Sequence, residues 1–296
     1  MATLLDFRRR IRSVKNSQQI TRAMKFVAAA RLRRAQEAAL AARPYAGELA
    51  RVLRSTMARI QEPVHPLLER REEKTVLAIV LTGERGLAGA FNSNILRKAN
   101  EFFRANRDKK ILTIPVGKKG RDALKKAGFT FAGEWVNVLS RVEFKTAREI
   151  AKLATNLYAE KKADSVYIIF SEFKSVMAPN LTVEKLLPVE AFHEEKSNEA
   201  QESEKKPEAQ VDYIYEQPEA QLLDRLLPRY VETQILRAML ESSASEYAAR
   251  MTAMESATKN AGEVIEALTL HMNKVRQAAI TKEIIEIVSG AAYGAG

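Results

Sequence analysis

The sequence contains no cysteine, which excludes disulfide bonds, thiolate nucleophiles and cysteine-ligated metals. Its three histidines, His65, His193 and His271, are far apart and match no metal-binding spacing such as HExxH. No apolar run approaches the roughly 18 residues that would span a bilayer. We therefore expect a soluble or peripherally attached chain with no metal site and no cofactor.

The first residues also lack the features of a targeting segment. MATLLDFRRRIRSVKN has no apolar core and already contains an acid, Asp6. A secretory signal is therefore not expected, and neither is a transit peptide, because the same residues fit a structural helix.

The net charge of +11 is distributed unevenly along the chain. Residues 1–60 carry 14 Lys and Arg against 3 Asp and Glu, whereas residues 190–219 carry 10 acids against 3 bases. A segment this basic attracts an acidic partner, which could be nucleic acid, anionic lipid or an acidic protein. Charge alone does not choose among the three.

Residues 3–60 have the pattern of one long helix, with a single proline, Pro44, and no glycine before Gly47. Almost 60 helical residues at 1.5 Å each would extend about 85 Å. A heptad repeat places one seam along this helix, and polar Gln18, Thr21 and Lys25 interrupt its middle. The seam consists of Leu4, Phe7, Ile11, Val14, Gln18, Thr21, Lys25, Ala28, Leu32, Ala35 and Ala39.

Residues 220–289 have a cleaner heptad repeat, in which Thr258 alone is polar. Its seam consists of Leu240, Ala244, Tyr247, Met251, Met254, Thr258, Ala261, Ile265, Leu268, Met272, Val275 and Ala279. A seam of about 40 residues predicts a coiled coil. The simplest partner is the N-terminal helix, paired antiparallel, because the intervening domain returns the chain. A parallel dimer between two chains is the alternative.

Between the two helices, apolar strand patterns alternate with helical patterns, which predicts a mostly parallel, Rossmann-like sheet covered by helices. Strands are predicted at 74–83, 111–117, 129–135 and 165–173, with an antiparallel closing strand within 176–189, and helices at about 88–105, 118–127 and 144–162. The predicted fold class is α/β, with this sheet domain inserted between the long terminal helices of an antiparallel coiled coil. The predicted domains are 1–60, 74–215 and 216–296, with 194–210 as a flexible acidic insertion.

Two glycine-containing segments are the candidates for phosphate binding. GERGLAG, residues 83–89, follows the first buried strand, where a glycine-rich loop could present backbone N–H groups to phosphate. Its GxxGxxG spacing matches neither GxGxxG nor a Walker loop, so a structural turn is favoured. GKKGR, residues 117–121, lacks acid–base partners and is interpreted as a solvated face. The sequence therefore predicts no catalytic residues.

The basic N-terminal helix also raises the alternative of a coiled-coil protein that binds nucleic acid. A basic zipper region, however, requires a parallel dimer zipper directly after it. Here an α/β domain follows instead.

Several long motifs resemble the gamma subunit of F-type ATP synthases. RIRSVKNSQQITRAMKFVAAARLRRA (10–35) is similar to that family's N-terminal helix, and ALTLHMNKVRQAAITKEIIEIVSGAAYGA (267–295) to its C-terminal signature. Between them, GERGLAGAFN (83–92) and YIYEQPEAQLLDRLLPRYVE (213–232) resemble the family's internal segments in the same order. Ala88 and Ala90 depart from the family pattern, where many relatives have Cys and Gly.

The resemblance implies a central rotor subunit with no active site of its own, turning inside a ring of alpha and beta subunits. Its partners would be this ring, the epsilon subunit and the c-subunit ring, with no nucleic acid and with membrane contact only through the complex. The absence of a chloroplast-type cysteine insertion points to the cytoplasmic side of a bacterial plasma membrane. The implied contacts with the alpha/beta ring are Arg9, Arg10, Arg12, Met24, Lys25, Arg276, Gln277 and Thr281. Those with the c ring and epsilon are Tyr213, Tyr215 and Glu216.

Overall fold

The computed structural model describes residues 3–57, 65–175, 179–189 and 219–294. The helices are α1 (Leu4–Met57), α2 (Phe91–Ala105), α3 (Lys118–Lys126), α4 (Phe144–Ala159) and α5 (Glu219–Gly294). The strands are β1 (Thr75–Leu81), β2 (Lys110–Val116), β3 (Thr130–Phe131), β4 (Ser165–Phe173) and β5 (Pro179–Leu187). This order confirms the predicted sheet domain between two long helices.

The chain forms two compact units, and each contains part of α1 and part of α5. The first comprises Met1–Arg31, Leu87–Gly89 and Ala248–Gly296, and the second comprises Leu32–Gly86 and Ala90–Tyr247. We call them the coiled-coil unit and the sheet unit. The three-part division of the chain drawn from the sequence stays a prediction.

The sheet unit has the strand order β3-β2-β1-β4-β5. Strands β1 to β4 pair in parallel, and β5 pairs antiparallel with β4, as predicted. The central strand β1 is almost wholly buried, which accounts for its unbroken apolar sequence TVLAIVL. One core cluster joins the sheet to α4, the end of α1 and the start of α5 through residues such as Ala154, Leu53 and Leu227.

Strand β3 is shorter than the strand predicted over 129–135. It covers two residues, after which the chain follows β2 only through an isolated bridge between Val116 and Trp135. Gly133 lies at the interruption, and a Cβ there would come within 2.7 Å of the Leu153 side chain. Because helix α4 approaches the backbone so closely, the chain bends away from regular strand geometry.

In the coiled-coil unit, α1 and α5 pair antiparallel within one chain. Phe7 packs on His271 with ring centroids 5.0 Å apart, while Thr21 bonds Thr258, so residue numbers rise along α1 as they fall along α5. Every predicted seam residue of this unit is buried or half-buried. The predicted heptads and their antiparallel pairing are therefore confirmed.

Candidate functional site

The crevice where doubly wound sheets bind ligands is occupied by protein in the sheet unit. Such a crevice opens at the carboxyl ends of two neighbouring strands from which the chain continues in opposite directions. In this sheet those two strands are β1 and β4. The Glu246 carboxylate lies 3.0 Å from where a Cβ of Gly83 would stand, directly after β1. The Ser245 hydroxyl lies 2.7 Å from that of Ser171 at the end of β4. Helix α5 thus fills the crevice.

The part of α5 in this crevice is a polar sequence that is buried without a break. Residues 241–248 all lie inside the protein, including Glu241, Ser242, Ser243, Ser245 and Glu246. The heptad pattern predicts burial at only some of these positions. The signal that could have revealed the rest is the run of small side chains, Ser-Ser-Ala-Ser, at 242–245.

A buried carboxylate anchors this part of α5 to strand β4. Glu241 Oε1 accepts bonds from Arg43 Nε at 3.0 Å and Arg43 Nη2 at 2.9 Å, and its Oε2 accepts the Phe173 N–H at 3.0 Å. The carboxylate is thereby satisfied by both a guanidinium and a backbone amide, as a buried charge requires.

The GERGLAG loop forms its hydrogen bonds within the protein. The Gly83 N–H donates to Asn92 Oδ1 at 2.8 Å, and the Asn92 amide donates back to the Arg85 carbonyl at 3.3 Å. Leu87 and Gly89 adopt positive φ angles of 64° and 54°. These contacts are those of a tight strand-to-helix turn, the interpretation favoured from its spacing.

The amides of the GKKGR segment are likewise occupied. The Lys118 N–H donates to Glu84 Oε2 at 3.0 Å, that of Lys119 to the Gly83 carbonyl at 3.1 Å, and that of Gly120 to Thr82 Oγ1 at 2.7 Å. A phosphate at a helix N-terminus needs such N–H groups to point at the ligand. At the start of α3 they point at protein atoms instead.

The described residues contain no group of His, Cys, Asp and Glu arranged to hold a metal ion. His65 lies 3.3 Å from Asp224, and burial lowers the pKa of its imidazole although that carboxylate opposes the change. His271 is exposed and packs against the seam residue Phe7. Across the same residues, no helix combines the length and apolar character needed to cross a bilayer.

On α1, the predicted ring contacts differ in environment. Arg9, Arg10 and Arg12 are exposed, whereas Met24 is half-buried. Lys25 Nζ lies 2.5 Å from Glu255 Oε1, so its charge is paired inside the coiled-coil unit. The first three side chains therefore form the accessible basic surface at the start of α1.

On α5, the predicted ring contacts all lie on the exposed surface of the helix. Arg276, Gln277 and Thr281 are exposed, while the seam residue Val275 beside them is half-buried. The Thr281 hydroxyl donates to the Gln277 carbonyl at 2.9 Å, a bond along the helix. Every residue from 281 to 289 is exposed, including large apolar side chains such as Ile284 and Ile287. This end of α5 is a surface without a partner helix among the described residues.

The remaining predicted contacts, Tyr213, Tyr215 and Glu216, lie outside the described residues. The same holds for the acidic segment 194–210. Their predicted roles stay predictions.

The fold and its surfaces define an α/β domain combined with an intramolecular antiparallel coiled coil, with large apolar side chains exposed near the end of α5. The sequence profile of the family described as ATP synthase matches residues 3–292. The chain is 48% identical to the ATP synthase gamma chain of Solibacter usitatus, and 49% identical to that of Desulforamulus reducens, with 99% of each chain covered in both comparisons. The chain therefore belongs to the ATP synthase gamma chain family.

Solved structures share the fold. A chain from the rotor of the Euglena gracilis mitochondrial ATP synthase matches with a TM-score of 0.63 at 19% identity, covering 94% of this chain and 98% of that one. Another from the OSCP/F1/c-ring structure of the same enzyme gives a TM-score of 0.66 at 20% identity, covering 98% of this chain and 93% of that one. The resemblance read from the terminal motifs is confirmed, and no finding supports the nucleic-acid alternative.

Proposed function

We propose that this chain is the central rotor subunit of an F-type ATP synthase. It turns inside the ring of alpha and beta subunits and couples ion translocation through the c ring to ATP synthesis or hydrolysis on beta. The observation that carries the proposal is similarity to ATP synthase gamma chains along almost the entire length of both sequences.

The chain contributes no active site of its own to this complex. Helix α5 fills the crevice that would receive a nucleotide, and the amides at the start of α3 already donate to protein atoms. Catalysis therefore belongs to the partner subunits, and this chain acts on them by conformational coupling. It favours one state of each beta site by making better contacts with that state than with the others.

The coiled-coil unit supplies surfaces suited to such contacts. Its apolar seam is internal, so the pair can hold together while its exposed side chains meet changing neighbours. Arg9, Arg10 and Arg12 would meet acidic loops of the ring, with Met24 and Lys25 beside them. Arg276, Gln277 and Thr281 would make polar contacts to beta. These ring contacts rest on the family resemblance and on the exposure of six of the eight residues.

Tyr213, Tyr215 and Glu216 would meet the c ring and epsilon. The chain would touch the membrane only through the complex, on the cytoplasmic side of a bacterial plasma membrane.

Assembly and rotation together test the proposal. The chain, carrying Lys125→Cys on the exposed end of α3, is co-expressed with the alpha and beta subunits of its own organism. Because this chain has no other cysteine, a bead is attached at this site alone once any cysteines of the alpha and beta subunits have been replaced. We expect a stable complex in which the bead rotates in one direction when ATP is added. Failure to co-purify, or ATP hydrolysis without bead rotation in intact complexes, would contradict the proposal.

A further inference from the structure

Apart from Lys25, the polar residues in the seam of the coiled-coil unit form one layer. From the α1 side it contains Gln18 and Thr21, and from the α5 side Thr258. The Thr21 and Thr258 hydroxyls are 2.8 Å apart, and Gln18 Nε2 donates to the Thr258 carbonyl at 3.3 Å. The polar interruptions that the sequence contains in two distant segments therefore face each other.

Two neighbouring features fit this layer closely. Gly262 leaves room for the Gln18 side chain, since a Cβ at that position would lie 3.2 Å from Gln18 Nε2. One turn further along, Lys25 pairs with Glu255 at 2.5 Å. Each hydroxyl also lies within bonding distance of a carbonyl of its own helix, Thr21 of Gln18 at 3.0 Å and Thr258 of Met254 at 2.7 Å. Since a hydroxyl has one proton, one threonine donates to the other across the seam while its partner donates to its own helix.

Apart from the Lys25–Glu255 pair and the ring of Phe7, the seam of the coiled-coil unit provides little directional contact. Its other side chains are small, flexible or aliphatic, such as Ala28, Ala261, Met251 and Met254. Contacts of this kind persist when two helices move a short way past each other, because methionine readily adapts its packing. Hydrogen bonds do not persist, since they weaken steeply when their distance or angle changes.

A slipped arrangement would break the hydrogen bonds that this layer makes between the helices. Moving the pair by one heptad would place Thr21 opposite Met251 or Ile265 instead of Thr258. Thr258 would then face Val14 or Ala28. In either register each hydroxyl would keep only the bond to its own helix, and the Gln18 amide would lose its acceptor on α5, so the slipped pair would lack both hydrogen bonds between the helices.

We infer that Gln18, Thr21 and Thr258 pin α1 and α5 against sliding within the coiled-coil unit, and so position the exposed side chains of one helix relative to those of the other. These are positioning residues. The inference extends beyond the proposed rotor function and does not depend on it, because it concerns the free chain.

Spin-label distances in the full-length chain test the inference. Cysteines at the exposed positions Ser13 and Glu266 carry nitroxide labels, and the absence of native cysteines makes them the only labelled sites. We expect one narrow distance distribution in the parent chain. Thr21→Val with Thr258→Val should broaden it or add a second population, where a full heptad slip corresponds to an axial displacement of about 10 Å. An unchanged distribution would overturn the inference.

Three further variants separate pinning from packing. Thr21→Ser with Thr258→Ser keeps both hydroxyls and should retain the narrow distribution, so broadening in this variant would contradict pinning by hydrogen bonds. Val14→Ala with Ile265→Val removes only methyl groups and should lower stability without broadening. If the valine variant fails to fold, Gly262→Ala tests the inference in its place. Alanine stabilises the helix, but its Cβ would crowd the Gln18 side chain. This variant should broaden the distance distribution, and an unchanged distribution would contradict the inference.

Discussion

Gly117 illustrates how one missing side chain determines the turn between β2 and α3. Its φ angle is 105°, and a Cβ there would lie 1.9 Å from the Thr82 carbonyl oxygen at the end of β1. The same threonine accepts the Gly120 N–H through its hydroxyl. The backbone at the start of α3 thus packs directly on the end of β1, which leaves no room for a ligand between them.

We expect Gly117→Ala to lower the free energy of unfolding by about 3 kcal/mol or more, because backbone strain and a steric clash add together. Gly128→Ala is the matched control. Its φ is 80°, but nothing lies within 4 Å of its Cβ position. Strain alone should cost the control about 1–2 kcal/mol. Urea unfolding of both variants measures the difference, and equal losses would contradict the clash.

The Arg43–Glu241 pair permits a second test at this scale. Arg43→Met removes the guanidinium from a carboxylate that is 4% exposed. Breaking a buried pair costs about 3–5 kcal/mol, and we expect the lower end because the arginine is itself 46% exposed. Arg33→Met is the control, since its pair with Glu37 is exposed on both sides and is worth about 1 kcal/mol or less. Thermal and urea unfolding should show a larger loss of stability for Arg43→Met than for Arg33→Met. The opposite order would contradict the anchoring role of the Arg43–Glu241 pair.

At the scale of elements, α5 changes its environment along its length. Residues 241–247 are buried in the sheet unit, residues 251–279 have one face in the coiled-coil seam, and residues 281–289 are exposed all round. Packing therefore fixes the first two parts. The last part has the exposed apolar side chains expected of a surface that meets another protein.

Replacing both Arg276 and Gln277 with leucine tests the contacts proposed for α5. Both side chains are exposed beside the seam residue Val275, so the free subunit should keep its helix content and nearly its full stability. Each hydrogen bond lost to beta would contribute on the order of 0.5–3 kcal/mol. We therefore expect reduced ATP synthesis and hydrolysis in the assembled complex, measured beside circular dichroism of the free chain.

The matched control replaces Asn273 and Lys274, an exposed amide and cation on the preceding turn, with leucine. An equal loss of turnover in the control would remove any special role for Arg276 and Gln277. If the free chain with leucine at both 276 and 277 unfolds, while the complexes that still assemble turn over normally, the two residues stabilise the fold and do not contact beta.

At the scale of the whole molecule, the filled crevice determines whether the isolated chain can bind a nucleotide. Nucleotide binding at the switch point of the sheet would require α5 to withdraw Glu246 and Ser245 from the ends of β1 and β4. Those contacts belong to a helix that also contributes to the main core through Leu227 and Ile235. Opening the crevice would therefore disrupt the core of the sheet unit.

The isolated full-length chain should accordingly neither bind nor hydrolyse MgATP. Isothermal titration calorimetry with MgATP should show no stoichiometric binding, and phosphate release should stay at the level of the buffer. The alpha and beta subunits of the same enzyme, assembled with this chain, serve as the positive control. Tight binding of one MgATP per isolated chain would contradict the absence of a site.

Local patterns in the sequence determined the type and order of the elements. Seven-residue spacing predicted both seams, and the apolar runs predicted β1 and β4, because burial on one face or both leaves a periodic trace. Strand β3 was predicted too long, since the close approach of Leu153 to Gly133 leaves no such trace.

Only the tertiary structure decided which polar residues meet. Thr21 and Thr258 are far apart in the chain, as are Lys25 and Glu255, and periodicity cannot specify the register that brings each pair together. It likewise could not reveal that Glu246 and its serine neighbours fill the crevice, because polar residues ordinarily indicate exposure. Their burial depends on partners supplied by Ser171 and other residues from distant parts of the chain, which exist only once the sheet and helix have packed together.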